Sequence, residues 1–132
     1  MPLKSLIEAL AASSDTSVVL TDGGLEPQGP RVIYVNAAFE RMTGYKAKEV
    51  MGLNPRFLQG PATSVAARKR LARALRGGTR CRVVILNYRK SGEPYRCAID
   101  LHPIPKPGGG LLGAVALERE VERRPGRPSH QD

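Results

Sequence analysis

Residues 80–101 constrain the fold more than any other stretch, because they write an antiparallel hairpin into the chain. Residues 80–88 form one long arm, apolar on both faces in its second half. In the other arm Tyr95, Cys97, Ile99 and Leu101 alternate with Arg96, Ala98, Asp100 and His102. A period of two assigns the first four to one sheet face and the second four to the other. Between the arms, Lys90-Ser-Gly-Glu93 supplies the glycine of a bulged turn.

The remaining segments provide the elements that join and cover this hairpin. Upstream, Ser17-Val-Val-Leu-Thr-Asp22, a Gly/Pro loop through Pro30 and Arg31-Val-Ile-Tyr-Val35 read as strand, loop, strand. Asn36 caps a helix over residues 37–43 that stops at Gly44, and residues 46–51 give another turn or two ending at Gly52. The helix predicted over residues 63–75 carries Ala67, Leu71, Ala74 and Leu75 on one face, with Lys69, Arg73 and Arg76 on another. Gly77-Gly78 ends it. A Pro/Gly loop over residues 103–110 leads to a last strand from Leu111 to about Leu117. Near the N-terminus, Ser5-Leu-Ile-Glu8 fits the capping box of a short amphipathic helix with Leu6, Ile7 and Leu10 as its apolar positions.

Two strands, several short helices and three strands predict an α+β fold, a five-stranded antiparallel sheet with short helices on one face and a pocket between the layers. The expected divisions are an N-terminal helical cap over residues 1–16, the domain proper over 17–121 and a polar tail over 122–132. At 132 residues and 41% hydrophobic content the chain supports one core.

Composition narrows the function classes. The formal charge of +9 suits an anionic partner, but aromatic residues make up only 5% and Trp is absent, which argues against a base-stacking surface for nucleic acid. The basic helix face and the Arg123, Arg124 and Arg127 tail are what a nucleic-acid reading would rest on. Cys81 and Cys97 fall in opposite hairpin arms, which places them roughly 20 Å apart along the ribbon, too far for a disulfide. Together with His102 and His130 they match no metal-ligand spacing. The short N-terminal apolar run is broken by Glu8, so no signal peptide or membrane span is expected and the chain belongs in the reducing cytoplasm. Lacking a nucleophile set, phosphate loop or paired carboxylates, the sequence predicts no enzyme.

Val32-Ile-Tyr-Val-Asn-Ala-Ala-Phe-Glu-Arg-Met-Thr-Gly-Tyr45, followed by Gly52-Leu-Asn-Pro-Arg-Phe-Leu-Gln-Gly-Pro61, closely resembles the PAS superfamily. Within it the match is to the LOV (light, oxygen, voltage) flavin-binding photoreceptors. Leu86-Asn-Tyr-Arg-Lys-Ser-Gly-Glu-Pro-Tyr95 is similar to the central hairpin of the same family. The resemblance implies that Asn54, Arg56 and Gln59 hold the ribityl chain, phosphate and ring edge of a flavin, and that Asn87 binds the pyrimidine edge of its ring. Thr21, Cys97 and Val115 complete the implied cofactor-binding set. The implied cofactor is FMN, with FAD or riboflavin as variants.

Several positions depart from the family pattern. Pro55 stands where the family carries the cysteine whose thiol adds to the flavin under blue light, and a proline offers no nucleophile. Ala72 replaces a second phosphate-binding arginine, with Lys69 or Arg73 near enough to substitute. Cys97 replaces a strand amide, and Val115 is read as replacing the last-strand glutamine. Each missing amide forfeits about 0.5–1.5 kcal/mol. The resemblance therefore implies a sensory module binding flavin non-covalently, with a flavin-free PAS dimerisation or docking module as the alternative. A homodimer formed through the N-terminal helix and an effector protein acting in trans are the expected partners.

Overall fold

The computed structural model describes residues 2–122. The tail arginines at 123, 124 and 127 and His130 lie outside the described residues. Helix α1 (Pro2–Ala11) leads into β1 (Ser17–Asp22) and β2 (Val32–Val35), and α2 (Ala37–Thr43), α3 (Ala47–Val50), a 3-10 turn (Pro55–Leu58) and α4 (Val65–Gly77) follow. The chain closes with β3 (Cys81–Tyr88), β4 (Pro94–Pro105) and β5 (Leu111–Glu120). These strands make one antiparallel sheet in the order β2-β1-β5-β4-β3, with the short helices packed over it, as the sequence predicts.

Local chemistry explains where the helices begin and stop. The Asn36 side chain accepts from the Phe39 amide and from the Val18 amide, and donates to the carbonyls of Ala11 and Thr16. One buried amide thereby caps α2 and ties it to β1 and α1. Gly44 and Gly78 close α2 and α4 in the left-handed conformation that glycine adopts without strain. The 3-10 turn begins on Asn54, whose Oδ1 accepts from the Arg56 amide at 2.9 Å, with Pro55 in the first helical position, where a missing N–H costs nothing.

The hairpin register pairs Asn87 with Tyr95 and Ile85 with Cys97. This corrects the expected cysteine separation: Cys81 and Ile85 are four residues apart, so Cys81 and Cys97 stand about 13 Å apart along the ribbon. Both are free thiols.

Two strands run longer than the sequence suggests. β4 continues through Pro103 to Pro105 because β3 has already ended opposite Leu101, which leaves one edge open and needs no proline N–H there. β5 continues to Glu120, paired with Cys97, although its last residues are charged. Two apolar clusters fill the space beneath the helices. One joins Ile85, Tyr95, Cys97, Ile99 and Leu101 to α4, and the other packs Phe39, Val50 and Leu58 on Val19, Val32 and Val35.

Candidate functional site

Between the inner sheet face and α4 lies a cavity of about 640 Å³, within the range of small-molecule sites. Its apolar wall is built by alternation: Ile85, Ile99, Leu101, Ala114 and Ala116 project from β3, β4 and β5 toward Leu71 and Leu75 of α4. Ala72 lies between them and adds only a methyl group to the wall.

Five of the seven sequence-predicted positions, Thr21, Asn54, Arg56, Gln59 and Asn87, line this one cavity, and so does Pro55. Different elements deliver them. Thr21 comes from the end of β1, where the register against β2 shifts, and Asn87 comes from β3 with its side chain buried. Asn54 is fixed by its capping bond, and the Arg56 guanidinium donates to the Pro27 carbonyl across the mouth at 2.5 Å. Gln59 ends the 3-10 turn, and the next residues are pinned to β3. The Thr63 hydroxyl donates to the Leu86 carbonyl at 2.7 Å, and the Ala62 amide donates to the Tyr88 hydroxyl at 3.0 Å. Gly60 lies so close to the Tyr88 ring that a Cβ there would meet it at 2.3 Å.

The other two positions lie outside the lining. Cys97 is fully buried on the inner face beside Ile85, and burial holds its thiol far above the ordinary range. Val115 is paired with Leu20 and His102, and its strand neighbours Ala114 and Ala116 are the ones that enter the cavity. In a strand, neighbours of an inward pair point outward, so Val115 faces away. Of the two cations suggested as phosphate partners, Lys69 borders the cavity while Arg73 opens onto a separate groove with Arg80 and Arg82.

Glu118 is the site residue the sequence reading missed. It lies on the same face of β5 as Ala114 and Ala116, lines the cavity and is 4% exposed. Its Oε1 has no hydrogen-bond partner among the described residues, and burial pushes its carboxyl up to about 7. The inward alternation on β5 was the available signal, but a strand ended at Leu117 leaves Glu118 in the tail. Arg68 and Arg76 of α4 join Arg56 and Lys69 around the cavity, giving it a basic rim.

A planar polar guest fits what is present. Thr21 Oγ1 and Glu118 Oε1 are buried in the lining with no partner among the described residues, an arrangement that costs free energy unless a guest completes it. The apolar walls accept a ring system and the basic rim accepts a phosphate. Among the described residues no cluster of three or more His, Cys, Asp or Glu is placed to hold a metal, and no helix is long and apolar enough to cross a membrane.

Comparison with known proteins agrees with this fold. The PAS domain family profile matches residues 15–123. A blue-light-activated histidine kinase of Rhizobium johnstonii is 44% identical over 95 residues, covering 72% of this chain and 27% of that protein. The chain thus spans about a quarter of the kinase's length. The Rhodobacter sphaeroides LOV protein superposes with a TM-score of 0.84 at 28% identity, over 96% of this chain and 71% of that one. A structure from a flavin-analogue study of the light-oxygen-voltage domain mechanism superposes with a TM-score of 0.79 at 30% identity, over 90% and 86% of the two chains.

Proposed function

Because the chain belongs to the PAS domain family, we propose that it is a LOV-type sensory module that holds FMN non-covalently and forms no cysteinyl adduct. One observation carries this reading: Asn54, Arg56, Gln59 and Asn87 converge with Thr21 on a single cavity whose adduct position is Pro55. Neither cysteine lines that cavity, so no thiol stands ready to replace the missing one. When bound, the flavin supplies light absorption and redox chemistry. Asn87 and Gln59 orient its ring edge by hydrogen bonds, Asn54 meets the ribityl chain, and Arg56 with Lys69 neutralises the phosphate. The side chains of Ile85, Ile99 and Leu101 keep water from the ring.

The module acts in the cytoplasm as a sensor, pairs with a second copy through α1 and passes its output to an effector protein. The exposed Leu6 and Leu10 of α1 support the pairing.

Absorption and fluorescence spectra of the freshly purified protein, before and after incubation with FMN, test the reading. The expected result is a yellow, fluorescent protein whose flavin band survives blue light unbleached. A protein that stays colourless after reconstitution overturns it and favours a flavin-free PAS docking module. That second reading draws on Cys97, which takes a strand-amide position yet stays in the core.

A further inference from the structure

We propose that Glu118 makes flavin binding pH-dependent: as a neutral acid it donates a hydrogen bond to the acceptor edge of the ring, and as a carboxylate it repels that edge. The inference rests on the flavin reading above and adds a recognition group to the same cavity.

Geometry carries it. Glu118 pairs with Ser17 of β1 on one side and Ile99 of β4 on the other, so the strand holds its side chain on the inner face. Neither neighbour closes a bond to Oε1, and the Ser17 hydroxyl is itself buried without a partner among the described residues. A carboxyl buried and unpartnered in a cavity wall is most stable when neutral, and a neutral carboxyl is a donor. The carbonyl and ring-nitrogen edge of an isoalloxazine needs donors, and Cys97 supplies none to the lining.

The surrounding groups leave this assignment intact. Tyr95 and Cys97 on β4 interact electrostatically with it, and burial holds both protonated. Around the cavity stand Arg56 on the 3-10 turn, Glu26 on the β1–β2 loop, and Arg68, Lys69 and Arg76 on α4. Arg70, Arg82, Asp100 and Arg119 border a neighbouring groove that Glu118 also touches. Burial is what raises its carboxyl, to about 7.

The test is the FMN dissociation constant across pH, read by fluorescence, for the natural chain and for Glu118→Gln and Glu118→Leu. The natural chain should bind FMN about tenfold more weakly at roughly pH 8 than at roughly pH 6. Glu118→Gln, which keeps a donor and cannot ionise, should bind with the acid-form affinity at both. Glu118→Leu should bind weakly at both. An infrared carbonyl band of a neutral carboxyl, present in the FMN-loaded natural chain at low pH and missing in Glu118→Gln, confirms the group directly. An unchanged pH slope in Glu118→Gln, or a flat profile in the natural chain, overturns the assignment while leaving the flavin reading intact. No FMN binding at any pH overturns both.

Discussion

At the scale of single residues, two side chains define what this cavity can do. Pro55 gives the 3-10 turn its start and lines the cavity with a ring that carries no nucleophile. On the proposed reading, replacing it by cysteine supplies the thiol that the resemblance implies at this position. In Pro55→Cys loaded with FMN, blue light should bleach the flavin band reversibly, whereas the natural chain should show no such bleaching under identical illumination. Glu118 carries a stability consequence even without a ligand. Its folded-state value of about 7 exceeds its ordinary value of 4.5, so between these pH values the folded chain holds a proton that the unfolded chain has released. The contribution of Glu118 to stability is therefore full below about pH 4.5 and is lost as pH rises toward 7, by about 3 kcal/mol in all. Urea midpoints measured across that window should decline for the natural chain and stay nearly level for Glu118→Gln.

Among the elements, the junction around Asn36 holds the sensor's layers together. Its amide closes four bonds that link α1, β1 and α2, with distances from 2.9 to 3.1 Å, in a site that is 3% exposed. Asn36→Ala strips the buried Val18 and Phe39 amides and the Thr16 carbonyl of their side-chain partner and leaves the Ala11 carbonyl with the Ser14 amide alone, and should cost about 3 kcal/mol, read as a lowered urea midpoint with unchanged slope. A second junction is Arg89, whose guanidinium pairs with Glu93 and Glu120, donates to the Met42 carbonyl and stacks 4.4 Å over the Tyr95 ring. It ties the hairpin to α2 and to the end of β5, the strand that carries Glu118. β5 thus connects the cavity wall to the surface through a defined set of contacts.

For the whole molecule, the question is how a change in the cavity reaches another chain. The helix α1 packs through Ala11 but leaves Leu6 55% and Leu10 72% exposed, the two side chains on which the proposed pairing with a second copy rests. Leu10→Glu should convert a dimer to a monomer in sedimentation velocity without altering the FMN spectrum. The sequence alone determined the order of the strands along the chain, the hairpin, the cap at Asn36 and the glycine stops, because these rest on local propensities and on periods of two and 3.6 that need no distant partner. It also brought Thr21, Asn54, Arg56, Gln59 and Asn87 forward as one set through motif likeness. Only the tertiary structure decided that they share one cavity, that β4 and β5 outrun their apolar patterns, and that Glu118 instead of Val115 enters the wall. Strand register and depth of burial are properties of paired chains, and a shift of one residue sends every side chain to the opposite face.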